Sequence, residues 1–181
     1  SCGRIGFDEA VLFTHRGLSG PAILQISSYW QPGQPLTIDL LPHLDIAEAL
    51  QEAKASSKKQ LPNLLAQWLP TRLAEAWCQH TPAWQGPVNQ CSDKALAQLA
   101  HSLSHWQITP SGTEGYAKAE VTLGGVDTQA LAQQSMQAKQ QPGLFFIGEV
   151  VDITGWLGGY NFQWAWASAY ACAQALQAAS A

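Results

Sequence analysis

Gly155, Gly158 and Gly159 stand immediately before an Ala-rich stretch from about Asn161 to Ala178, with Glu149 and Asp152 just upstream. This pattern could seat an anionic or phosphorylated ligand. The first turn of a helix carries N–H groups with no intrahelical acceptor and a partial positive charge, and glycines before it let another molecule come close. Carboxylates at the C-terminal end of a strand could hold sugar hydroxyls, because open α/β sheets bind ligands at that edge. The same glycines would also serve a plain strand-to-helix connection.

Other residue sets point to chemistry less directly. Cys78, His80, Cys91, His101 and His105 are all of zinc-ligating type, and the last two share a helix face. Structural zinc sites present two tight pairs, however, and Cys78-x-His80 with a distant Cys91 does not, so no metal is expected. Neither G-x-S-x-G nor a Cys with a matched His occurs, which leaves nucleophilic catalysis without a basis. Trp156, Trp164 and Trp166 fit a core better than a cofactor box.

The elements that position these residues can be read from periodicity. Ala10 to Phe13 is a short apolar run suited to a buried strand. A helix follows, with Ser19 as its cap, Pro21 in its first turn and Ile26 and Trp30 on its apolar stripe. Leu36 to Leu41 alternates as a half-buried strand does. From Asp45 the texture becomes helical. Asp45 and Glu48 start one helix, Pro62 opens a second, Pro70 and Thr71 a third, and Ser92-Asp93 cap a fourth carrying Leu96, Leu99 and Leu103. Strand signals return at Trp106 to Thr109 and Tyr116 to Leu123. Leu144 to Gly148 then reads as a strand covered on both faces.

Composition narrows the classes. Of the 181 residues 46% are hydrophobic and only 12% charged, with eight Trp and a net charge of −4. That excludes a disordered chain. The longest basic run is Lys58-Lys59, so nucleic acid is not expected as a partner. No stretch approaches the roughly 18 apolar residues of a membrane span, and no membrane association is expected. The four cysteines are scattered without a CxxC, which fits reduced thiols and a cytoplasmic location. A charged fraction about half the usual ~25% suggests that some surface is normally covered, by another part of the protein or by a second copy in a homo-oligomer.

Three segments carry a family likeness: GLFFIGEVVDITGWLGGYNFQWAWASAYA at 143–171, Leu12 to Pro21, and Glu120 to Val126. Together they resemble the BaiN-like and aminoacetone-oxidase-like flavoproteins, FAD-dependent oxidoreductases related to the glutathione-reductase superfamily. The resemblance implies a mixed α+β and α/β fold: a β-barrel-type domain in two halves (1–45 and 106–140), a helical insertion (46–105), and the returning strand-helix segment of a split FAD-binding domain (141–181). The G-x-G-x-x-G turn that family members carry near their start is absent here. The chain is therefore expected to be a C-terminal portion whose partner is the missing N-terminal FAD-binding part, and by itself to bind FAD weakly or not at all and to be inactive.

Residue by residue, the resemblance implies that Glu149, following Gly148, holds the ribityl chain of FAD, with Asp152 in the same family segment. Gly158, Gly159, Tyr160 and Asn161 would form the stretch that approaches the flavin ring. His15 and Ser19 match a further family segment; His15 reads first as a polar loop residue that caps local backbone, and only second as a candidate for catalysis. The activity implied is hydride or electron transfer on an unidentified small molecule. The competing expectation is a non-catalytic binding module in which the glycine-rich helix start is purely structural.

Overall fold

The computed structural model describes residues 1–179. The last two residues of the expected 141–181 segment lie outside the described residues. The fold is mixed α/β, with six α-helices and two small antiparallel sheets among the described residues. It divides into two compact units, Ser1–Asp8 with Gly33–Pro110, and Glu9–Pro32 with Ser111–Ala181.

The first unit is built around helices α2 (Ile46–Ser56), α3 (Leu61–Leu65), α4 (Thr71–Gln79) and α5 (Asp93–Ser104). Asp45 caps α2 by accepting from Glu48 N–H at 3.0 Å, and Ser92 caps α5 by accepting from Ala95 N–H at 3.2 Å, as the sequence signals required. Leu96, Leu99 and Leu103 fall on one face of α5 and are buried against Leu50, Leu61, Leu65 and Val88. Removing each such side chain from water is worth about 1.5–3 kcal/mol, which makes this cluster the main stabilising feature of the unit. Trp84 donates its indole N–H to Ala95 O at 3.0 Å, so the ring is buried with its polar atom satisfied. Strand β3 (Leu36–Ile38) pairs antiparallel with β4 (Trp106–Ile108), so chain on either side of the helical stretch meets in one sheet.

The second unit contains β1 (Leu12–Phe13) paired with β2 (Leu18–Ser19), then α1 (Pro21–Ser27) and the long α6 (Tyr160–Ala179). Its core is smaller: Leu131, Met136, Val151 and Cys172. Several strand expectations fail here. Leu12 and Phe13 are exposed rather than buried. The 116–123 stretch forms a 3₁₀ turn at Gly115–Ala117 and then bends, leaving Tyr116 90% exposed. The 144–148 run makes only an isolated bridge, Phe145 to Gln137, instead of a ladder, and its last residue, Gly148, opens a 3₁₀ turn. β-propensity expresses a fit to neighbouring strands, and along 116–123 and 144–148 no paired strand is present among the described residues. Ser19 likewise does not cap α1; Gly20 occupies that position and no side chain bonds there.

Candidate functional site

The three segments that carry the flavoprotein likeness fall in the second unit, and two of them, 120–126 and 143–171, are bonded to one another there. Val126 and Val151 form a parallel bridge, with Val126 N–H donating to Val150 O and Asp152 N–H to Val126 O, each at 2.9 Å. Asp152 Oδ1 accepts from Gly124 N–H at 3.1 Å. The carboxylate therefore secures the Gly124-Gly125 turn. At Gly125 (φ 141°) an added Cβ would stand 2.5 Å from Val150 O, so this close crossing admits only glycine.

Helix α6 holds the segment before it through both polar atoms of Gly148. Gly148 N–H donates to the buried Ser168 Oγ at 2.9 Å, and Gly148 O accepts from Trp164 Nε1 at 2.9 Å. Ser168 in turn donates to a carbonyl of its own helix. Trp164 is thus a half-buried positioning residue, while Trp156 and Trp166 are exposed, so of the three only Trp164 is packed against the core. Asn161 closes the glycine loop by bonding Gly155 through both Oδ1 and Nδ2. From α1, the buried Gln25 accepts from Leu157 N–H at 3.4 Å, and just past that helix Tyr29 Oη accepts from Trp156 Nε1 at 2.8 Å, so α1 and the residues after it brace the same loop.

The first helical hydrogen bond at this end of α6 is Gln163 N–H to Gly159 O. The N–H groups of Tyr160, Asn161 and Phe162 therefore have no intrahelical acceptor. Gly159, at φ 88°, has nothing within 4 Å of an added Cβ, so there is open space beside this residue, whereas an added Cβ at Gly158 would stand 3.4 Å from the Tyr160 ring. Tyr160, Phe162, Trp166 and Tyr170 are 62%, 73%, 75% and 68% exposed, the last three at four-residue spacing along one face. An open, positively polarised helix end beside aromatic side chains suits an anionic group joined to a planar ring. Glu149 lies exposed in the 3₁₀ turn Gly148–Val150 and has no bonded partner among the described residues.

His15 sits in the β1–β2 turn with its ring exposed. Thr14, not His15, organises that turn: Thr14 Oγ1 accepts from Arg16 and Gly17 N–H at 3.1 Å and donates to Gly17 O at 3.0 Å. Among the described residues no group of three or more His, Cys, Asp or Glu is arranged to hold a metal. Cys78 and Cys91 are buried in the helical core, and burial, then the neighbouring Cys91, pushes the Cys78 thiol up to about 11. His101 and His105 stack with ring centroids 4.7 Å apart. No described helix is long and apolar enough to cross a membrane.

Comparison with known proteins gives this arrangement a family. Residues 1–121 match the family described as "HI0933-like protein barrel and H2TH domain". The chain belongs to the HI0933-like family. It is 55% identical over 174 residues to an Escherichia coli protein and 51% identical over 173 residues to one from Haemophilus influenzae, both named "Ribosomal RNA dihydrouridine synthase". These alignments cover 96% and 95% of this chain but 44% and 43% of the relatives. A more distant relative, 26% identical over 174 residues, 90% of this chain and 42% of its own length, is the "3-dehydro-bile acid delta(4,6)-reductase" of Clostridium scindens. This HI0933-like chain thus spans less than half the length of the curated relatives it matches, and the relatives' names describe a synthase of a reduced nucleoside and a reductase. The particular BaiN-like affiliation is finer than these comparisons reach.

The sequence alone missed Gly124-Gly125, which reads as the end of a strand, and the bracing pairs Gln25–Leu157 and Tyr29–Trp156, which have more than 100 residues between partners. Only the Gly-Gly doublet carries a local signal.

Proposed function

We propose that this chain is the C-terminal part of a cytoplasmic, FAD-dependent reductase that acts on a uridine of ribosomal RNA. The observation that carries the reading is the open N-terminal end of α6: Gly159 with free space beside it and three uncommitted N–H groups behind it. The 51–55% identity to proteins named as ribosomal RNA dihydrouridine synthases supports the choice of substrate. FAD is expected to supply a two-electron transfer, which is what saturating the C5–C6 double bond of a uridine requires.

In this reading Gly159 leaves room for a flavin ring edge, Gly158 lets the Tyr160 ring lie close, 3.4 Å from where a Cβ would stand, and the N–H groups of Tyr160, Asn161 and Phe162 stabilise negative charge there. Asn161 acts by fixing the loop through Gly155, because both polar atoms of its side chain are already used. Glu149 is available to hold ribityl hydroxyls. Asp152 works indirectly, through the Gly124-Gly125 turn. In the proposed whole protein the exposed aromatic row of α6 is covered by an FAD-binding portion outside these 181 residues, rather than by a second copy. The barrel halves at 1–45 and 106–140 and the split 141–181 segment belong to the same proposal.

This reading departs from the expectation of no nucleic-acid partner, which rested on sparse Lys and Arg over these 181 residues. More than half of each relative's length lies outside the match and can contribute phosphate-neutralising charge. The test is the dihydrouridine content of ribosomal RNA from cells lacking the gene, complemented with the full-length protein or its Gly159→Val variant. Restoration by the wild type but not by the variant is expected. Unchanged dihydrouridine on deletion would refute the substrate assignment.

A further inference from the structure

Four of the six lysines, Lys54, Lys58, Lys59 and Lys94, belong to the helical unit and cluster where the end of α2 meets the start of α5. Lys54 Nζ and Asp93 Oδ1 lie 2.6 Å apart, which joins the two helices at this point and neutralises the nearest α5 carboxylate. Lys58, Lys59 and Lys94 are exposed, and none makes an ion pair with a described residue. The loop that carries Lys58 and Lys59 is held in place: Lys59 O accepts from Val88 N–H at 2.9 Å and Gln60 bridges Pro87. Beside it, between α2 and α3, is a recess of about 290 Å³ whose polar lining comprises Glu52, Ser56, Ser57, Lys59 and Gln67, with Trp68 on its wall. That is the small end of the range for ligand pockets, about 300–1,000 Å³.

The combination is specific in kind. Unpaired ammonium groups on a fixed loop track phosphates, a half-buried indole offers a stacking face, and the Gln67 amide can reach base or sugar edges, while Ser56 and Ser57 are engaged with Glu52 O and Lys59 N–H. Glu52 is the opposing charge in the recess and would disfavour a purely anionic small ligand, while still being able to accept from a base amino group or a 2′-hydroxyl.

We propose that the Lys58–Lys59 loop and the Trp68 recess form a docking seat for single-stranded RNA, separate from the glycine loop of α6. The choice of RNA rests on the ribosomal-RNA reading above. The seat would bind RNA whatever its sequence, contributing affinity rather than specificity.

Fluorescence anisotropy of a labelled single-stranded oligouridylate, titrated with the 181-residue chain over a range of salt, tests the proposal. Replacing two phosphate-contacting lysines in Lys58→Gln/Lys59→Gln should weaken binding about tenfold and reduce the slope of log affinity against log salt by about 1.4. Lys94→Gln should weaken it less, and Lys118→Gln, in the other unit, should leave it unchanged. Absence of binding by the wild-type chain, full affinity in the double variant, or equal competition by polyglutamate, which would point to a basic face for acidic proteins, would each overturn the seat. The dihydrouridine measurement decides the substrate reading independently, since it can succeed while this titration fails, and the reverse.

Discussion

The side-chain amide of Asn161 grips the backbone of Gly155 at two points, with Oδ1 accepting from Gly155 N–H at 2.7 Å and Nδ2 donating to Gly155 O at 3.3 Å. One residue of α6 thereby fixes the entry to its own helix. Asn161→Ala removes both bonds and leaves Gly155 to find water. A loss of about 1–3 kcal/mol is expected, read as a fall in melting temperature and as faster amide exchange at Gly155 than in the helical unit. Unchanged exchange at Gly155 would show that the loop is held by Gln25 and Tyr29 instead.

Glycines of different duty should separate cleanly. Gly125→Ala places a Cβ 2.5 Å from Val150 O and must force the 124–126 and 150–152 crossing apart. Gly159→Ala meets no atom and costs only the strain of a positive φ, about 1 kcal/mol. Thermal melts of the two variants should therefore show a clearly larger loss for Gly125→Ala. Equal losses would contradict the crossing geometry.

Much of the helical unit was legible in the sequence because its signals are local. Caps at Asp45 and Ser92 and a leucine stripe at helical spacing each act within a turn or two, and the helices begin where those residues stand. The second unit was less legible. Tyr116 to Leu123 and Leu144 to Gly148 have strand composition, but a strand needs partners, and the alternation says nothing of whether they are present. The candidate site was half legible: the glycines before α6 were apparent, whereas Asp152 holding Gly124, or Ser168 and Trp164 holding Gly148, depends on contacts between distant residues.

Ser168 supplies the acceptor for Gly148 N–H from a buried position. Ser168→Ala should leave that N–H unsatisfied and cost about 1–3 kcal/mol. Trp164→Phe removes the bond to Gly148 O and should act through the same turn, so the double variant should lose less than the sum of the singles. Strict additivity in urea unfolding would indicate that the two bonds are independent.

The Cys78 thiol, raised to about 11 by burial and then by Cys91, stays protonated in the folded chain at pH values where the ordinary thiol, at 9.0, ionises. The unfolded state therefore binds fewer protons between about pH 9 and 11. Stability from this group is complete below pH 9 and is lost as the pH rises towards 11. Urea midpoints should fall over that window less steeply in Cys78→Ser than in the wild type, after correction for the variant's lower starting stability. Rapid alkylation of Cys78 in the folded protein at pH 8 would contradict the buried, protonated state.

Flavin content of the purified full-length protein, compared between wild type and Gly159→Val, tests the central claim most directly. The account predicts near-stoichiometric FAD in the wild type and a marked loss in the variant, with the helical unit still folded by circular dichroism. A colourless wild type that takes up no added FAD, or a variant that keeps its full flavin complement, would contradict it.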